Sequence, residues 1–255
     1  MLKISCFTFI ITLFFSYNNY AKANDYNISK RAIAKFLGVP EEFVSIECPQ
    51  QSFKLNGTGR DATLSICLNK ADNQKRCEIA VGYLKKPPYS NHISFEAKVA
   101  HNTDKIKEWM IALQIHAFPD KGESWRCPAL SADITGGKLH MFNRWDASKI
   151  SKTHGYHCAE KGSSIQSRTV IDNYSVGIGK WFSLNMDLKL SHLSDGNIDI
   201  SLNNDKKINL SGANTYNDDR PPFLKLGIYK PNGWDKNHIL SCISYRNVDI
   251  SVEKY

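Results

Sequence analysis

Several patterns are missing from this chain of 255 residues, and each absence removes a class of function. After the first fifteen residues no hydrophobic run approaches the length needed to cross a bilayer. No Cys-x-x-Cys pair occurs, so the commonest zinc-site spacing is absent. No run of clustered Asp matches an EF-hand loop. No nucleic-acid motif is present, and no basic amphipathic helix is long enough to bind a membrane surface. Repeats, low-complexity tracts and interdomain linkers are also lacking, and no Glu-x-Asp-x-Glu strand supplies the paired carboxylates that glycoside hydrolysis commonly uses.

What is present begins with an apparent export signal. Lys3 is a short positive start, Ile4 to Phe15 is almost continuously apolar, and Ala21-Lys22-Ala23 has the small-x-small form of a cleavage site. Residues 1–23 are therefore expected to be a signal peptide, with the mature chain secreted or periplasmic. The formal charge of +8 would fall to +6 with the loss of Lys3 and Lys22. A moderate positive excess suits an acidic partner without identifying it. Six cysteines would remain, Cys48, Cys67, Cys77, Cys127, Cys158 and Cys242, and an even count in an exported chain points to disulfides. Cys67–Cys77, flanking a short polar turn, is the first expected pair and Cys127–Cys158 the second. His154, His157 and Cys158 have metal-like spacing, but their Ser-, Lys- and Gly-rich surroundings suggest a loop with Cys158 in a disulfide.

One helix is expected, within a small appendage over 24–45. Asn27 or Ser29 can cap it, Ile33, Phe36 and Leu37 form its apolar face, and Gly38 and Pro40 end it. From 46 to 255 short runs alternate apolar and polar between Asn, Asp, Gly and Pro clusters, and Asp195-Gly196 marks a tight hairpin. The expectation is all-β: a jelly-roll sandwich of the concanavalin A-like kind with a short N-terminal helix.

Three of these runs carry large polar groups opposite a clean apolar face, since residues i and i+2 of a strand share a side. In the first, Arg76, Glu78 and Ala80 oppose Cys77, Ile79 and Val81. In the second, Met110, Ala112, Gln114 and His116 oppose Ile111, Leu113 and Ile115. In the third, Phe223, Lys225, Gly227 and Tyr229 oppose Leu224, Leu226 and Ile228, with Gly227 leaving room for a ligand.

Taken together and in order, these segments resemble the signature of the jelly-roll polysaccharide lyases: alginate lyases, glucuronan lyases and heparin lyase I-like enzymes. That signature has an Arg-x-Glu-Leu-Arg strand, a Gln-[Ile/Val]-His strand and a late Tyr-Phe-Lys-x-Gly-x-Tyr strand. Gly179 to Phe182 and Asp195 to Ile198 also resemble the family's approach to its last strands. The likeness runs from about 60 to 252. Ala80 replaces the second Arg, and Pro231 and Asn232 replace a Gln that often follows the last Tyr.

The resemblance implies cleavage of a uronic-acid-containing acidic polysaccharide by β-elimination. It implies Arg76 and Gln114 on the substrate carboxylate, and His116 and Tyr229 moving protons. Glu78 would orient Arg76, while Lys225 would bind a carboxylate or tune Tyr229. No cofactor and no metal ligand are expected, although calcium occurs in some relatives. The expected partner is the polysaccharide alone, bound by a monomer that uses neither nucleic acid nor, after signal cleavage, a membrane. A non-catalytic lectin-like module for an acidic glycan is the alternative. Asp218-Asp219 reads as a solvated turn, and Trp125, Trp145 and Trp234 as loop residues able to stack on sugars or plug a core.

Overall fold

The computed structural model describes residues 28–101, 109–234 and 239–255. The expected signal peptide and the Asn27 cap lie outside them. Helix α1 (Lys30–Leu37) starts where Ser29 Oγ accepts the Ala32 N–H at 3.1 Å, and it stops at Gly38, whose φ of 70° suits a residue without Cβ. Ile33, Ala34 and Leu37 are buried and join the main core, so the helix is a plug for the sandwich.

The strands in chain order are β1 (Val44–Ile46), β2 (Phe53–Asn56), β3 (Thr63–Asn69), β4 (Arg76–Val81), β5 (Tyr89–His101), β6 (Trp109–His116) and β7 (Leu130–Thr135). They continue with β8 (Lys138–Trp145), β9 (Gln166–Ser175), β10 (Trp181–Lys189), β11 (Asn197–Leu202), β12 (Lys206–Ser211), β13 (Phe223–Tyr229) and β14 (Leu240–Lys254). They form two antiparallel sheets. The first has the order β1-β4-β13-β6-β7-β8-β9 and the second β12-β11-β10-β5-β14-β3-β2. The inward positions of both, among them Ile79, Leu113, Leu224, Leu226, Ile66, Ile93, Leu184 and Ile243, make one continuous core. The architecture is the expected β-sandwich. The Asp195-Gly196 pair does fall between antiparallel β10 and β11, but within a connection longer than a two-residue hairpin.

The first sheet carries the three polar segments side by side, because β13 pairs with β4 on one edge and β6 on the other. One expectation fails here. The register of β6 against β7 slips between Ile111 and Leu113, and that of β13 against β6 slips between Leu226 and Tyr229. A bulge inserts a residue and reverses which side chains face inward. Met110 and Ala112 therefore join the core cluster, whereas Ile111 pairs with Tyr229 and Asp133 on the outward side.

The bulge is tied down from the other sheet. The Gly227 N–H donates to Tyr245 Oη at 3.0 Å, and the same hydroxyl donates to the Ala112 carbonyl at 2.8 Å. Tyr245 is fully buried, and burial drives its phenol pKa far upward, so it stays protonated. Tyr245→Phe should strand two buried backbone groups and cost about 1–3 kcal/mol, read as a lower urea midpoint.

The disulfides also correct the sequence reading. Cys67 and Cys77 do not pair: β3 and β4 belong to opposite sheets, and each cysteine has its partner beside its own strand. Cys67 bonds instead to Cys242, directly opposite on β14, and Cys77 bonds to Cys48 just past β1. The Cys127–Cys158 bond is present as expected.

Candidate active site

A cavity of about 530 Å³ opens on the outward face of the first sheet. Antiparallel pairing explains its contents. Residue 225 of β13 lies opposite Ala80 on β4 and Gln114 on β6, and residue 223 lies opposite His116. Arg76, His116 and Lys225 line the cavity together with Glu47, Ser45, Phe118, Trp125 and Phe223.

Behind this lining lie Glu78 and Gln114, each with 2% exposure. The Gln114 amide donates to Glu78 Oε1. Glu78 Oε2 lies 3.2 Å from Arg76 Nε and 3.8 Å from Lys225 Nζ. Burial raises the Glu78 carboxyl pKa, with Lys225, Arg76 and Gln114 pulling the other way. Glu78 therefore holds Arg76 as the sequence suggested, and it holds Lys225 as well.

His116 sits at one end, stacked on Phe223 with ring centroids 5.6 Å apart and touched edge-on by Trp125 at 5.4 Å. Its Nδ1 lies 3.1 Å from the Ala117 carbonyl. A carbonyl only accepts, so Nδ1 carries the proton and Nε2 presents a lone pair. Burial chiefly lowers the imidazole pKa to about 4, against the bond to Ala117, and the nearby cations Lys225, Arg76 and Arg126 lower it further. The ring is a neutral base at ordinary pH.

Tyr229 lies elsewhere. It is opposite Arg76, six residues along β13 from Phe223, roughly 20 Å of strand. The Arg76 guanidinium covers its ring at 4.2 Å, and Tyr229 is not among the residues lining the cavity. The structure thus gathers Arg76, Gln114, Glu78, Lys225 and His116, and leaves Tyr229 at the far end. The position facing His116 is Phe223, where the family pattern has its first tyrosine, so that neighbour has no hydroxyl.

Glu47 escaped the sequence reading. It follows β1, a three-residue edge strand with too little alternation to register, yet its Oε2 accepts from Lys225 Nζ at 2.6 Å. The wall beyond His116 was also misjudged. Asp218 is no solvated turn: it is buried with its Oδ1 2.6 Å from Arg126 Nη2, and burial chiefly raises its pKa to about 6 against the pull of Arg126. Glu123 holds Arg126 at 2.7 Å and Asp120 holds Lys149 at 2.6 Å. The three carboxylates have oxygens within 4.8 Å of one another. Arg126 pairs with Glu123 and Asp218, and Lys149 with Asp120, so two cations offset part of the charge of the three carboxylates. They serve as an internal ion network that fixes the loop carrying Trp125, which is 58% exposed.

The model of a family described as polysaccharide lyase matches residues 46–242. The chain belongs to that family. The lyase also shares its fold with solved structures. An endo-β-1,4-glucuronan lyase from the fungus Trichoderma reesei aligns with a TM-score of 0.59 at 14% identity, covering 83% of this chain and 87% of that one. A family 7 alginate lyase in complex with substrate aligns with a TM-score of 0.51 at 12% identity, covering 80% and 83%. No curated protein matches the sequence.

Proposed function

We propose that this polysaccharide lyase cleaves a uronic-acid-containing acidic polysaccharide by β-elimination, with His116 as the proton-transfer residue. The observation that carries this reading is a neutral imidazole with a free Nε2 in the same cavity as Arg76 and Lys225. The C5 proton of a uronate is hard to remove because the adjacent carboxylate resists further negative charge. Arg76 and Lys225 would bind that carboxylate and stabilise the charge developing on it. His116 Nε2 would take the C5 proton, the C4–O4 bond would break as C4=C5 forms, and the imidazolium could return the proton to O4. Glu78 and Gln114 would act from below by fixing the two cations. Tyr229, beneath Arg76, would contact a neighbouring sugar.

The glucuronan and alginate lyases that share the fold support a uronate polymer as the substrate class. Three disulfides support an oxidising compartment, secreted or periplasmic. No helix among the described residues is long and apolar enough to cross a membrane.

The test is incubation with alginate, glucuronan and heparin while following ultraviolet absorbance from the new conjugated double bond. Reducing ends released without that absorbance would mean hydrolysis and would sink the proposal. Lys225→Met should lower kcat/KM by about a hundredfold, the scale expected for removing one preorganised charge donor.

A further inference from the structure

The two cations assigned to the substrate carboxylate already hold a carboxylate of the protein. Glu47 Oε2 lies 2.6 Å from Lys225 Nζ and 3.5 Å from Arg76 Nη1. With Glu78 beneath, the cluster has two groups of each sign, and the neutral ring of His116 adds no charge. Glu47 differs from Glu78 in its placement. It is 31% exposed, against 2% for Glu78, and it is the acid among the lining residues.

Its position is built in. The Glu47 N–H donates to the Glu78 carbonyl at 2.9 Å, continuing the β1–β4 ladder. The next residue, Cys48, is disulfide-bonded to Cys77, the neighbour of Arg76. The backbone segments that carry the acid and its guanidinium partner are thus stapled one residue away from each.

We propose that Glu47 sets the charge selectivity of the cavity, so that it accepts a polymer with one carboxylate per sugar and rejects one that also carries sulfates. The inference rests on the reading of the cavity as a uronate site. A single incoming carboxylate can share Arg76 and Lys225 with Glu47. A sulfate added to the same stretch of polymer brings further negative charge against Glu47, and like charges placed together at a recognition surface discriminate strongly. Without the Glu47 charge the same cavity is net positive.

The experiment compares the unaltered chain with Glu47→Gln and Glu47→Asp. It measures the binding of an alginate oligosaccharide (unsulfated) and a heparin oligosaccharide (sulfated) by calorimetry at fixed salt, with elimination kinetics alongside. Glutamine keeps the shape and an acceptor for Lys225 but not the charge. Glu47→Gln should raise affinity for heparin relative to alginate by about tenfold, the effect of roughly one pKa unit's worth of interaction. The shift should appear in KM more than in kcat, and Glu47→Asp should restore the original ratio. An unchanged heparin-to-alginate ratio, or a parallel loss of both, would overturn the proposal. Should neither polymer undergo elimination while the ratio still shifts, the catalytic reading fails and the selectivity stands, so the two failures are distinguishable.

Discussion

Replacing His116 by alanine is expected to lower kcat by about a hundred- to ten-thousand-fold, the contribution typical of a positioned proton-transfer group. The circular dichroism spectrum should not change. The ring stands at the cavity wall against Phe223 and Trp125, outside the main core, so its loss leaves the sandwich intact. The unaltered lyase supplies a second readout. A base must be neutral to act, and His116 is neutral above about pH 4 instead of above the ordinary 6.5. The acidic limb of kcat/KM should therefore fall near pH 4, and activity should persist at pH 5–6, where an unperturbed histidine would already be protonated. The same shift carries a stability term of definite sign. Since the folded pKa lies below the unfolded one, the contribution is present above pH 6.5 and is lost as pH falls through 4. An acidic limb near 6.5, or an alanine variant with full activity, would remove His116 from the mechanism.

The sheet that bears the site was legible because its strands alternate cleanly. Cys77, Ile79 and Val81 on β4 and Leu224, Leu226 and Ile228 on β13 face inward as the two-residue period requires. The pairing of β13 with β6, a neighbour distant in sequence, then puts Lys225 beside Gln114. What could not be read is what depends on breaks in that period. Nothing local in Met110-Ile111-Ala112 announces a bulge, since all three are apolar, and the hydroxyl that holds it comes from Tyr245, on a strand more than a hundred residues away. A second slip, on the β13–β6 pairing, lies between His116 and Tyr229, which the sequence pattern treats as partners. The partners of Cys67 and Cys77, and Glu47, were hidden for a related reason: they follow from sheet order, and β1 is only three residues long. The Gly196 signal was real but misassigned. A Cβ there would press on the Gly212 carbonyl and on Asn214, so the glycine serves a close approach between two segments of the chain as much as a turn.

Gly227→Ala is expected to be strongly destabilising. At φ 150° the residue lies where L side chains rarely go, and an added Cβ would run into the Cys77 carbonyl and come within 2.7 Å of Glu78 Cα. Those atoms are backbone of β4, so no rotamer change relieves the clash. Either β13 or β4 must move, and Gly227 is also held by the Tyr245 hydroxyl from the second sheet. Overpacking of this kind, added to an unfavourable backbone angle, should cost about 3 kcal/mol or more. The measurement is a urea midpoint, compared with Ala80→Gly on the neighbouring strand as a mild control. The functional consequence follows from the same contact. Pushing β4 away displaces Glu78, and with it the anchor of Arg76 and Lys225, so any folded fraction should also lose activity. A Gly227→Ala protein with an unchanged midpoint and full turnover would show that β4 and β13 are not packed as closely as the site requires.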